Sequence, residues 1–338
     1  MAPPTAPRKP RRPSLRDIAE AVGTTRMTVS RCLRDPQTVS EPLRQRIQET
    51  ARHLNYLPNR APMMLAQSRS RSIGVLVPSV TNQVFADVLA GIIDETGAAD
   101  YRAMITHYGH DAAAEERSIA ALLAYNADGL ILSDRTHTEA TRRMIDGAGV
   151  AIVEIMDTRK PALQQAVGYD NHAAACDMVT AMIARGHRRI VYLAVRLDER
   201  TLQRAEGYRE AMECHNLPPV ILQSAGKSSF TAGASLMARI LNNGDRTDGA
   251  FCANDDLAVG AFLECQRRGI RVPDQIMIAG FHGLDVAQAL SPQLLTVLTP
   301  RYQIGQAAAR ALLARINGAP LTMPVMDLGY RLMMGDGG

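Results

Sequence analysis

The sequence predicts a small all-helical N-terminal head followed by a larger α/β body, two lobes built on parallel sheets. Three observations carry this fold class. Residues 15–33 read LRDIAEAVGTTRMTVSRCL, two helical apolar patterns broken at a glycine. From Ser72 onward, short buried-strand runs alternate with amphipathic helices. Charge divides at the same place, with a net +9 over residues 1–71 and −5 over residues 72–338.

In the head, Leu15, Ile18, Ala19 and Val22 recur at helical spacing and provide one buriable face. Gly23 suits the positive φ of a sharp turn. Thr24 or Thr25 then supplies a hydroxyl to cap a second helix. From Met27 and Thr28 to Arg31 this helix turns polar and basic side chains outward, as expected of a helix that enters a major groove by its N-terminus. Ser40, Glu41 and Pro42 open a third helix running through Leu54. Its stripe of Leu43, Ile47, Ala51 and Leu54 is the surface on which the first two helices close. A helical hairpin in an ordinary core would account for residues 15–33 alone. The third helix and the basic charge point instead to double-stranded DNA as partner.

The chain therefore divides into a disordered basic arm (1–13), a helix-turn-helix domain (14–58), a short linking segment (59–71) and a body (72–338). In the body, strands are expected at 72–78, 101–107, 129–132 and 150–155, with helices at 85–96 and 115–125. The alternation restarts with helices at 173–185, 204–214 and 257–268 and strands at 189–194, 249–252 and 275–280. Repeated β-α units give parallel sheets covered by helices on both faces. The break near Tyr169, Asp170 and Asn171 marks two similar lobes, whose ligand would bind outside the carboxyl ends of the strands.

Composition excludes several classes. A chain of 338 residues, 46% apolar, can hold the head and one or two larger domains. No run approaches the ~18–20 apolar residues of a membrane span, and the N-terminal arm lacks the apolar stretch of a secretory signal. Cys32, Cys176, Cys214, Cys252 and Cys265 are odd in number and lack C-x-x-C spacing, which fits a reducing cytoplasm rather than zinc or a disulfide framework. No cofactor or metal is expected. Gly226-Lys227-Ser228 mimics the end of a phosphate loop, but Ile221 stands where the opening glycine belongs. His107, His110 and His137 lack a paired His/carboxylate motif. An enzyme carrying a DNA-binding head would need a nucleophile turn, a metal set or a nucleotide loop, and none is present.

The motifs resemble those of the lactose/galactose repressor family over essentially the full length. In the head they are T-V-S-R (Thr28 to Arg31), N-Y-x-P-N-R (Asn55 to Arg60) and Leu65-Ala66. In the body they are T-N-Q-V-F-A (from Thr81), R-T-H-T (from Arg135), L-D-E-R-T (from Leu197), N-D-D-L-A-V-G-A (from Asn254) and I-A-G-F-H-G (from Ile278), which are similar to the gluconate branch. The resemblance implies that Arg26, Met27 and Arg31 read bases, although Met27 also suits a semi-exposed helix position. It implies that Thr25, Ser30, Asn55 and Arg60 hold phosphates. Residues 59–71 would contain a hinge helix whose Leu65 wedges into the minor groove, with Pro62 tolerable in its first turn.

For the body the resemblance implies a homodimer of two-lobed modules, similar in fold to periplasmic binding proteins. Lobe 1 would span about 72–170 and 299–322, and lobe 2 about 171–297 and 323–338, with a third return around Leu321 to Met326. Effector contacts map to Ser79, Gln83 and Phe85 after the first strand, and to Arg204, Asn254, Asp255 and His282, with Arg200 nearby. Relatives carry an acidic residue where this chain has His282. Imidazole would not repel an anion as a carboxylate would, so a sugar acid is implied: gluconate, 2-ketogluconate or 6-phosphogluconate. A structural cap at His282 and a surface charge at Arg200 are the alternatives. Glu154 and Asp157 read equally well as lobe-surface carboxylates. The implied activity is repression relieved by the ligand, with a co-repressor as the rival sign. The tail after Asp327 lacks leucine heptads, against a coiled-coil tetramer.

Overall fold

A computed structural model describes residues 12–57, 69–243 and 246–335. They fall into two compact units, one on either side of residue 68.

The head is three helices, α1 (Leu15–Val22), α2 (Arg26–Arg34) and α3 (Glu41–His53), with a 3₁₀ turn at Pro36–Thr38. Asp17 accepts from the Ser14 backbone N–H (2.6 Å), completing a capping box at the start of α1. Gly23 closes α1 in the left-handed region (φ 73°). Of the two candidate threonines, Thr25 is the N-cap of α2, accepting from the Thr28 N–H at 3.1 Å. Ile18, Ala19, Val22, Val29, Cys32 and Ile47 form the small core. Arg46 on α3 donates to the Val22 carbonyl (2.9 Å), satisfying a free group at the end of α1.

The body opens with β1 (Ser72–Val77), α4 (Gln83–Ala98), β2 (Arg102–His107), α5 (Ala112–Ala124), β3 (Gly129–Leu132), α6 (Glu139–Ala148), β4 (Ala151–Ile155) and β5 (Gln165–Gly168). It continues with α7 (Asn171–Ala184), β6 (Ile190–Ala194), α8 (Glu199–Cys214), β7 (Val220–Gln223), α9 (Phe230–Asn242), β8 (Gly249–Cys252), α10 (Asp255–Arg267) and β9 (Met277–His282). Then come α11 (Asp285–Gln288), β10 (Leu295–Leu298), α12 (Arg301–Ile316), β11 (Val325–Asp327) and β12 (Arg331–Met333).

These strands form two six-stranded sheets. The first, in the order β11-β5-β4-β3-β1-β2, is parallel throughout. The second, β12-β10-β9-β8-β6-β7, is parallel except for antiparallel β12. In each, strand order reverses at the first strand of the lobe, β1 or β6, which opens a crevice at the carboxyl ends.

The chain crosses between lobes at 168–171, 298–301 and 327–331. The third crossing differs from the expected return at 321–326, because Val325–Asp327 pair with Ala166–Gly168 in the first sheet. A three-residue strand is too short to show a period, and its pairing partner lies far away in sequence. Strand β5 and helix α12 also carry too weak a periodicity to be expected from sequence, whereas α6 and α9 have a clear apolar face and yet stand outside the expected elements. The Ala-rich α12, for example, buries Ile304, Gly305, Ala308, Ala309, Leu312 and Leu313 with little polar contrast.

Helix packing depends on close approach at α4 and α12. A Cβ on Gly305 would overlap the Val88 carbonyl oxygen, and one on Gly91 would overlap that of Tyr302. Gly305→Val should therefore lower the urea-unfolding stability of the body by about 1–3 kcal/mol through overpacking. An unchanged midpoint and slope would mean that the helices can separate there without cost.

Candidate functional site

On the head, α2 buries Val29 and Cys32 and leaves Arg26, Met27 and Arg31 outward. Met27 is 80% exposed, so no packing demand in the head explains an apolar side chain there. The head's ion pairs, Arg16–Glu20 and Arg44–Glu41, lie on other helices, leaving Arg26 and Arg31 without one among the described residues. Ser30 is half-buried beside them. Thr25 uses its hydroxyl to cap α2, so its outward role has to be shared with a structural one. Asn55 is exposed and left-handed (φ 49°) just past α3, a conformation asparagine tolerates better than most residues. Arg60 and Leu65, with the rest of the expected hinge, lie outside the described residues.

On the body, a cleft lies outside the carboxyl ends of both sheets. Phe85, Arg200, Arg204, Asn254 and His282 line it together with Asn82, His110, Arg196, Asp198, Thr201 and Ser228. Three expected contacts do not line it. Ser79 is taken up in a turn with Thr81 (3.0 Å), and Gln83 is exposed at the start of α4. Asp255 is fully buried behind the cleft, accepting from the Leu284 N–H (2.6 Å) and the Thr296 hydroxyl (2.7 Å). Nor are Glu154 and Asp157 surface carboxylates, since both are buried. Glu154 accepts from the Leu163 N–H (2.6 Å) and lies beside His137 (3.4 Å), and Asp157 accepts from Gln203 (3.1 Å).

Arg204 is 3% exposed. Its guanidinium stacks over Phe281 (3.8 Å to the ring centre) and donates to Asn171 Oδ1 (2.9 and 3.0 Å) and the Ala253 carbonyl (2.6 Å). All these acceptors are neutral, and no ion pair to Arg204 exists among the described residues. One turn earlier, Arg200 donates to the Ser133 carbonyl across the cleft and lies 5.9 Å from the Phe85 ring centre. Burial works against its charge, but Asp134 and Asp198 outweigh it and hold the guanidinium protonated.

Asp198 is the acidic residue of the lining, and it is already engaged. It caps α8, accepting from the Thr201 N–H (3.1 Å) and hydroxyl (2.8 Å). Burial opposes its charge, but Arg200 and these bonds bring its carboxyl below the ordinary range. His282 sits at φ 102°, edge-on to Phe281, and Arg301 donates to its carbonyl. Burial first, then Arg204, Arg301 and Arg200, push its imidazole well below its usual value, so it is neutral. Asn254 caps α10 through its carbonyl oxygen (Leu257 N–H, 3.1 Å), leaving the amide nitrogen for Ser228 or a ligand. The cleft is thus cationic, with neutral groups able to meet hydroxyls.

Sequence patterns alone did not single out Asn82, His110, Asp198, Thr201 or Ser228 as lining residues. Asp198 and Thr201 carried a signal, since D-x-x-T before a helix is a capping pattern. His110 carried none, coming from the β2–α5 turn at φ 62°.

A helix-turn-helix head and a body of two parallel-sheet lobes around a polar cleft define a two-part DNA-binding regulator. Residues 14–59 match the model of bacterial regulatory proteins of the lacI family, and residues 179–336 match the periplasmic binding protein-like domain. The chain belongs to the LacI family of DNA-binding transcriptional regulators. It is 50% identical to the HTH-type transcriptional regulator GntR of Escherichia coli K12 over 97% of this chain and 99% of that one. It is 43% identical to IdnR of the same organism, over 96% and 98%. Among solved structures, a LacI-family regulator from Silicibacter pomeroyi aligns with a TM-score of 0.89 at 30% identity, covering 96% of this chain and 98% of that one. Such relatives point to a regulator rather than an enzyme, and no helix among the described residues is long and apolar enough to cross a membrane.

Asp255 makes one pH dependence predictable. Burial pushes its carboxyl up to about 7 from an ordinary 3.8. Between those values the folded chain holds a proton that the unfolded chain has released, so this group makes stability fall as pH rises through that window. Asp255→Asn should remove that contribution, so that stability relative to the parent improves from pH 4.5 to pH 8 in urea unfolding. A constant difference would assign Asp255 an ordinary titration.

Proposed function

We propose that the protein is a homodimeric repressor of sugar-acid metabolism genes, released from a near-palindromic operator when gluconate, 2-ketogluconate or 6-phosphogluconate enters the cleft. The observation that carries the ligand class is Arg204, a buried guanidinium lining the cleft and bonded to neutral acceptors alone. A carboxylate there gains charge-assisted hydrogen bonds that a neutral sugar cannot make. Neutral His282 leaves that charge unopposed. Asn254, Ser228, Thr201 and Asn82 can divide the hydroxyls between them.

Arg26 and Arg31 suit guanine, and Met27 suits a thymine methyl. Thr25, Ser30, Asn55 and Arg60 are assigned to phosphates, and Leu65 to the minor groove. Exposed Ile93 on α4 and Ile105 on edge strand β2 offer apolar surface to a second copy. The ligand acts through unequal affinity for the two lobe arrangements, typically ~1–3 kcal/mol of coupling. That is less than the ~4–10 kcal/mol separating specific from nonspecific DNA binding, yet enough to change occupancy.

The test is calorimetric titration with the sodium salts of the three acids and with glucose, followed by operator release on duplexes selected by the purified protein. Binding by one acid but not glucose, with release, supports the reading. Silence from all three acids removes the ligand class, and tighter operator binding on addition of an acid reverses the sign to co-repression.

Two variants sharpen it. Arg204→Met should weaken acid binding roughly 10–100-fold, the value of hydrogen bonds to a charged group, while operator binding without ligand persists. A variant released at the parent's ligand concentration would remove Arg204 from the site. Arg31→Ala should cost about 1–3 kcal/mol of sequence discrimination and leave nonspecific binding nearly unchanged, read by anisotropy on matched and scrambled duplexes.

A further inference from the structure

The start of α8 reaches across the cleft at four positions. Asp198 Oδ2 lies 3.6 Å from His110 Nδ1, and Glu199 pairs with Lys160 at 2.7 Å. Arg200 donates to the Ser133 carbonyl, and Gln203 Nε2 donates to Asp157 Oδ2 at 3.1 Å. The partners come from the loops that follow β2, β3 and β4, so roughly the first turn and a half at the start of α8 touches three successive loops of the first lobe. Other polar contacts between the lobes, such as Arg301 to the His282 carbonyl and Asn171 to the Met156 carbonyl (3.0 Å), sit beside the covalent crossovers. The 157–160 loop is itself held from the first lobe, where buried Arg135 donates to the carbonyls of Asp157 and Lys160.

We propose that this segment is the cleft's closure latch, in which Glu199 and Gln203, neither of which lines the cleft, act as positioning residues that set how far the lobes part. Arg204 follows it on the same helix, so a ligand gripped there meets a helix already tied to both lobes. Opening the cleft breaks all four contacts together. Their strength therefore enters the ligand affinity even though two of the four donors and acceptors on α8 never touch ligand.

The test needs one readout that is independent of any ligand. Nitroxides placed through Arg143→Cys on lobe 1 and Arg271→Cys on lobe 2, both 70% exposed, report the inter-lobe distance in the full chain by pulsed electron resonance. Accessible Cys176 and Cys214 are first replaced by serine. Gln203→Met and Glu199→Lys should each broaden the distribution toward longer distances, and Lys160→Glu combined with Glu199→Lys should restore it. Single variants with the parent distribution, or a swap that fails to restore it, would overturn the latch. If Gln203→Met does not fold, the partly exposed Lys160 and Glu199 still decide the matter (47% and 23%).

A second arm, resting on the sugar-acid reading, titrates sodium gluconate. Each single variant should raise its Kd roughly 3–10-fold, the size of one net hydrogen bond, and an unchanged Kd with an opened cleft would separate the latch from affinity and overturn that part. Silence from gluconate in the parent counts against the sugar-acid reading, and the distance measurement then decides the latch by itself.

Discussion

A guanidinium removed from water must find partners, and Arg204 has found neutral ones alone. Burying an ion costs several kcal/mol after relaxation unless it is paired and hydrogen-bonded. The Phe281 face, Asn171 and the Ala253 carbonyl meet part of that cost. The groups bonded to it or facing it, other than arginines, offer it no free negative charge, for connected reasons. Burial keeps the Tyr169 phenol protonated, and burial with three neighbouring arginines keeps His282 neutral. Asp198 spends its carboxylate on the cap of α8. What remains is a positive cleft, and the discrimination proposed for this protein follows from that residual charge.

The fold delivers this arrangement through its two switch points. Parallel strands end at one side of each lobe, so loops and helix N-termini collect there. Capping residues in those loops then serve twice: Asp198 and Asn254 each begin a helix and also line the cleft. Such double use explains why the lining is polar without being loosely held. The helix behind it is in turn braced by contacts to the first lobe. In the head the same economy appears at Thr25, which starts α2 and stands at the foot of its exposed basic face.

Much of the site is legible in the amino-acid sequence. Phe85, Arg200, Arg204, Asn254 and His282, which the family resemblance implied, all line the cleft, on the first two turns of a helix, at a helix cap or at a strand end. Of the misassigned residues, Ser79 lies in the β1–α4 loop and turns its hydroxyl to Thr81, whereas Gln83 and Asp255 neighbour lining residues on helices that turn about 100° per residue. Adjacent positions therefore face apart, and Asp255 points inward to Thr296 while Asn254 faces the cleft. Strand β11 and the third crossover escape sequence reasoning because a three-residue strand has no measurable period and is defined by its partner.

The sequence by itself determined the division into a basic head and a mildly acidic body, the three head helices, and the β-α alternation. Each of these rests on charge count or on spacing within a few residues, where caps and apolar stripes act locally. Tertiary structure alone decided which charges were paired and which were left for a ligand. Arg200 meets Ser133 across 67 residues and Gln203 meets Asp157 across 46, contacts between loops that share no pattern in the chain. Those contacts exist because two twisted sheets bring their carboxyl ends face to face, and a carboxylate or guanidinium is paired or exposed according to that packing.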